Sequence, residues 1–95
     1  MIRHICMFKL REDKQSNIAE FLRRAESLRE IPELKRFEAV RNDERTPDSN
    51  FDVSLIFDFD SVEDLNAYQI SETHKKFGSF VAEVKTDRAC IDYEF

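Results

Sequence analysis

Phe51-Asp52-Val53-Ser54-Leu55-Ile56-Phe57-Asp58-Phe59 (FDVSLIFDF) decides how this chain folds. Phe51, Val53, Leu55, Phe57 and Phe59 fall at every second position, opposite Asp52, Ser54, Ile56 and Asp58. A period of two is that of a strand with one buried face. Immediately downstream, Ser61 stands three residues before Asp64, the spacing of a helix capping box, with Glu63 near the positive helix end. Val62, Leu65 and Tyr68 form the expected inner stripe of that helix. Ser71-Glu72-Thr73 interrupts the pattern, which resumes at His74, Phe77, Val81 and Val84. The segment therefore reads as one kinked helix or two short ones. Thr86 to Phe95 closes the chain as a strand, with Ala89, Ile91, Tyr93 and Phe95 on one face.

Upstream, Pro47 and the polar run Asn42–Asn50 (NDERTPDSN) mark a loop. Leu34 to Arg41 precedes it as a strand, with Phe37 and Ala39 on one face. Ile18, Phe21, Leu22, Ala25 and Leu28 recur at helical spacing, Ser16 or Asn17 offers the cap, and Pro32 ends the helix. Ile2 to Leu10 opens the chain as a strand. Its alternate residues Ile2, His4, Cys6, Phe8 and Leu10 share a face, and Ile5 and Met7 make the other face apolar as well.

The order β-α-β-β-α-β makes one α+β domain over residues 1–95. Right-handed crossovers then give the ferredoxin-like arrangement, a four-stranded antiparallel sheet with the helices on one face. Two helices cover one face only, so the apolar residues of the other need a partner. The expected partner is a second copy packed sheet to sheet, a homodimeric α+β barrel, with several of the nine phenylalanines on the shared face.

Composition narrows function mainly by exclusion. Charged residues make up 37% of the chain, the net charge is −5, and there is a single glycine, Gly78. An acidic balance disfavours nucleic acid, which needs a concentrated basic surface. One glycine rules out a Gly-rich phosphate loop and reads here as a packing concession beside Phe77 and Phe80. No apolar run reaches the roughly 18–20 residues of a membrane span, and the first residues lack a signal-peptide pattern. Cys6 and Cys90 have no CxxC spacing, so neither zinc nor a redox motif is expected. A cytoplasmic protein with both thiols reduced, as small buried hydrophobes, is the resulting expectation. The acidic run Asp58, Asp60, Glu63 and Asp64 lacks the spacing and glycine of a calcium loop, so no metal is assigned to it. Nothing in the sequence demands a cofactor.

The opening RHICMFKL with His4, the strand and cap FDVSLIFDFDSVEDL, Tyr68 and His74 in AYQISETHKKF, and the closing IDYEF together resemble the Dabb family of stress-responsive dimeric α/β-barrel proteins. The resemblance runs in order through essentially the whole chain. It implies a homodimeric barrel with a cavity, in a family that is mostly uncharacterised but includes a plant polyketide cyclase. In that active branch a Tyr and a His of the second helical segment carry the chemistry, and Tyr68 and His74 are the matching positions. His4 matches a first-strand histidine. The family's His-Pro-x-His is here Ser71-Glu72-Thr73-His74, and Val53 stands where the cyclase has a third-strand histidine.

Two functions follow as expectations. The first is binding of a small apolar or aromatic molecule in the barrel cavity, with Val53, Leu55, Phe57 and Phe8 as lining residues. The second is a cofactor-free cyclase or lyase, with His74 as general base, Tyr68 as donor to the developing oxyanion and His4 as an orienting group. Each of the three polar residues also has an ordinary alternative, His4 as a bonded sheet histidine, His74 as a helix-end or surface residue, Tyr68 as a packed ring.

Overall fold

The computed structural model describes residues 1–95. The elements are β1 (Ile2–Leu10), α1 (Lys14–Ala25) continued by a 3-10 turn (Glu26–Glu30), β2 (Arg36–Arg41), β3 (Val53–Phe59), α2 (Val62–Ile70), α3 (Glu72–Val84) and β4 (Lys85–Glu94). The four strands form one antiparallel sheet in the order β2-β3-β1-β4, the ferredoxin-like arrangement. Eighteen buried apolar residues make a single core between the sheet and the helices.

The alternation in β3 sends Val53, Leu55, Phe57 and Phe59 inward beneath the helices, all nearly inaccessible. They meet Ile2, Cys6 and Phe8 of β1 and Phe21, Ala25 and Leu28 from the α1 segment. Phe8, Phe21 and Phe77 form an aromatic chain with ring centroids 5.4 and 5.2 Å apart. The phenylalanines thus belong almost entirely to the single-chain core, and the expectation that several face a partner is corrected: of the nine, only Phe95 is largely exposed.

The face the helices leave open is built by other residues. Ile5 pairs with Ile56 of β3 and Ile91 of β4, making a three-strand isoleucine row. Met7 sits between Ser54 and Ala89, and Ile91, Tyr93, Val40 and Phe95 are exposed. At one end Arg3 makes a paired bond to Asp58 at 2.8 and 3.0 Å and lies 4.3 Å from the Phe95 ring centre. The guanidinium holds the Asp58 carboxyl below its ordinary range.

Local chemistry moves several boundaries. α1 starts at Lys14 after Asp13 in the left-handed region (φ 65°), with no side-chain cap. Asn17 instead donates to the carbonyl of Glu12 at 3.0 Å, so neither it nor Ser16 caps the helix. β2 starts two residues later than expected, at Arg36, and β3 at Val53. Just before β3, the Asp52 backbone still bonds to Phe8 and Asn42 at 2.9 Å, and its carboxylate accepts from the Leu10 amide at 2.8 Å and from Lys14 at 2.9 Å. Burial works against that charge, and the amide and lysines outweigh it to keep the carboxyl below its ordinary range. Val62 is half exposed, and Leu65 and Tyr68 alone form the buried stripe of α2.

Candidate active site and family

Ser71 settles the choice between one helix and two. Its backbone is extended (φ −65°, ψ 149°), ending α2 and starting α3. The Ser71 hydroxyl donates to the Tyr68 carbonyl at 2.8 Å and accepts from the His74 amide at 3.1 Å. One side chain therefore closes the first helix and caps the second. The elbow folds Tyr68 and His74 together, their ring centroids 4.6 Å apart and steeply inclined.

Beneath them lies His4 of β1, its ring 6.1 Å from that of Tyr68. His4 Nδ1 is bonded to the Asp92 carboxylate of β4 at 2.5 Å. The antiparallel β1–β4 register makes that contact, since it sets His4 opposite Asp92 and Cys6 opposite Cys90. The Asp92 carboxylate accepts from Nδ1–H, which fixes the ring's orientation and turns Nε2 away from that bond.

His4, Tyr68 and His74 line one cleft of about 150 Å³ between α3 and the β1–β4 edge. Cys6, Phe8, Leu55, Phe77 and Val81 supply apolar wall, and Gly78, Lys85 and Arg88 complete the rim. A space of this size admits about one six-membered ring. Of the expected lining residues, Phe8 and Leu55 reach the cleft, whereas Val53 and Phe57 do not. Phe57 is sealed beneath Tyr68, ring centroids 5.7 Å apart, and Val53 lies farther along β3 at only 2% exposure. The cleft also lies within one chain, on the helix side of the sheet. The largest concavity, about 630 Å³, is a broad groove on the loop 42–50 side, bounded by Met7, Val40 and Asn42 among others. It contains none of the three polar residues.

The environments of the two helical residues differ from water in ways that matter chemically. Tyr68 is 1% exposed, and burial pushes its hydroxyl well above its ordinary pKa. That hydroxyl has no protein hydrogen-bond partner, yet it is not sealed away from solvent-sized space. It opens on the cleft as a protonated donor. Burial is the main cause that lowers the His74 pKa, assisted by His4 and Arg88 and opposed by the Gln69 backbone. His74 is thus neutral at pH 7.

The fourth strand supplies what sequence reading missed: Asp92, Cys90, Arg88 and Lys85. Cys6 and Cys90 are not separate reduced thiols but are joined in a disulfide, Cys6 buried and Cys90 exposed. The signal was present in the register. Pairing the two cysteines across antiparallel strands places His4 opposite Asp92, because two steps back on one strand meet two steps forward on the other. Gly78 is also corrected: a Cβ there would meet nothing within 4 Å, so packing does not require glycine.

Among curated proteins none matches the chain significantly. Solved structures do. A dimeric ferredoxin-like protein of unknown function from Bacteroides fragilis is 32% identical, with a TM-score of 0.86 over 99% of this chain and 95% of that one. A Dabb family protein with a ferredoxin-like fold from Mesorhizobium loti is 22% identical, TM-score 0.79, over 99% and 95%. A hydroxynitrile lyase from Passiflora edulis shares the fold at 18% identity, TM-score 0.80, over 97% and 90%. No helix is long and apolar enough to cross a membrane. The model of the stress responsive A/B barrel domain matches residues 2–95. With its sheet order, its helix-covered core and that match end to end, the chain belongs to the stress responsive A/B barrel (Dabb) family.

Proposed function

We propose that this Dabb protein binds a small, largely apolar or aromatic molecule with one polar group, in the cleft under the Ser71 elbow. The observation that carries the reading is the unpartnered Tyr68 hydroxyl beside the neutral His74 ring, both facing a cleft with an apolar wall of Cys6, Phe8, Leu55, Phe77 and Val81. That hydroxyl has no protein partner and opens on the cleft, so a ligand oxygen seated there would accept its hydrogen bond. The working form is a homodimer packed sheet to sheet. The uncovered Ile5–Ile56–Ile91 row supports that packing, as does the dimeric state of the Bacteroides fragilis relative. Phenol is a suitable probe. Ligand-observed NMR should show binding that Tyr68→Phe weakens by about 5–10-fold, the value of one hydrogen bond. Equal binding by Tyr68→Phe would place the ligand elsewhere.

The same pair supports a second reading as a cofactor-free lyase or cyclase. Neutral His74 would take a proton from the carbon alpha to a carbonyl, and Tyr68 would donate to the enolate oxygen as charge develops there. His4, held by Asp92, would orient the substrate. A 1,3-diketone such as acetylacetone tests this through exchange of its alpha protons with deuterium oxide. Loss of a general base costs about 100–10,000-fold, so His74→Ala should abolish any acceleration. Exchange no faster with the wild-type protein than with His74→Ala leaves binding as the function.

A further inference from the structure

The β1–β4 edge carries a second constellation, which shares His4 with the lyase reading and adds two cysteines that neither reading uses. Cys6 and Cys90 are cross-strand partners, and a ring nitrogen of His4 lies within 4.8 Å of both sulfurs. Two soft sulfurs and an imidazole are the donor set of zinc-type sites, not of calcium or magnesium.

We propose that Cys6, Cys90 and His4 form a redox-gated site for a thiophilic divalent cation of the zinc type, closed by the disulfide and opened by its reduction. A dithiol supplies the two electrons and two protons that convert the Cys6–Cys90 bond to two thiols, and is itself oxidised to a disulfide. The cation then displaces both thiol protons to solvent and binds the two thiolates.

The backbone already has the required spacing. The Cys6 and Cys90 Cα atoms are 4.3 Å apart. Two thiolates on one tetrahedral zinc stand about 3.8 Å apart, from Zn–S bonds of about 2.3 Å. Side-chain rotation opens the pair to that distance without moving a strand. Asp92 on His4 Nδ1 is the carboxylate that metal-bound histidines commonly carry, fixing the ring and freeing Nε2. Arg88 Nη2 lies 3.3 Å from the Cys90 sulfur and favours the thiolate form. Exposed Cys90 gives the cation a way in, while buried Cys6 and His4 hold it against the sheet. Three protein ligands leave a fourth position. Cys6 and His4 are walls of the cleft, so water or a cleft ligand completes the tetrahedron.

Cobalt(II) is the probe, because its thiolate charge-transfer and tetrahedral d–d bands report the ligands directly. Dithiol-treated protein, freed of excess reductant, should bind one cobalt per chain with thiolate bands, and the oxidised protein should show none. Zinc should bleach the bands by displacement. Asp92→Asn should weaken binding by about 10–100-fold, and Cys90→Ser by more. Circular dichroism alongside checks that reduced wild type and Cys90→Ser remain folded. A folded reduced protein without thiolate bands overturns the proposal, as does equal cobalt binding by oxidised protein or by Cys90→Ser. Unfolding on reduction overturns it too, since the site needs the β1–β4 register.

Discussion

His74 and Gly78 show how much a single position decides here. Burial lowers the His74 pKa, so the folded chain holds fewer protons on this ring than the unfolded chain below the ordinary value near 6.5. Its contribution to stability is therefore whole above about pH 6.5 and is lost as the pH falls through the interval down to the folded pKa. Facing or near it are Tyr68, His4, Lys85 and Arg88, and of these His4 and Arg88 oppose a positive charge on the ring. An NMR titration of the His74 ring should give a midpoint below 6.5; a midpoint above it would mean that burial does not dominate. Gly78 stands inside α3 with open space where a Cβ would go. Gly78→Ala should raise stability by about 0.5–1 kcal/mol in denaturant unfolding, from helix propensity alone. Gly78→Leu should leave the fold intact and abolish phenol binding, because the side chain enters the cleft. Phenol binding undiminished in Gly78→Leu would remove the cleft as the site.

At the scale of elements, two joints hold the site together. Ser71 closes α2 and caps α3 with one hydroxyl, so Ser71→Ala should cost about 1 kcal/mol and weaken phenol binding as Tyr68 and His74 separate. Ser71→Asp keeps an acceptor for the His74 amide and should recover most of that stability, measured by the same unfolding curves. The second joint is β4, an edge strand tied to β1 by its ladder and by the Cys6–Cys90 bond across 84 residues of chain. A bridge closing so long a loop restricts the unfolded chain, and reduction should lower stability by about 2–4 kcal/mol. A thermal melt unchanged by dithiol would show that the bond contributes nothing to the folded state.

For the whole molecule, the open sheet face is the surface proposed for assembly. Ile5, Ile56 and Ile91 form a row across three strands with no helix over it, flanked by Met7 and Val40. Ile56→Asp places a carboxylate at its centre and should convert a dimer to a monomer in light scattering. The helix-side core is separate and stays filled. A wild-type chain monomeric at micromolar concentration would sink the sheet-to-sheet dimer.

The element order and the inward face of β3 were legible because hydrophobic period is a local property: a strand that buries Val53, Leu55, Phe57 and Phe59 must alternate them. The Ser61 cap was legible for the same reason, since its partner is three residues away. Tyr68 and His74 were singled out through family resemblance, and His4 with them. What stayed hidden depends on register and on packing angles, which no window of sequence contains. The register joined Cys6 to Cys90 and His4 to Asp92 across more than 80 residues. Layer packing turned the phenylalanines toward the helices and left isoleucines on the open face. It also took Val53 and Phe57 out of the cleft and left Leu55 and Phe8 in it. Periodicity assigns each residue to a face of its own strand; only the pairing of strands and the seating of the helices decide what that face meets.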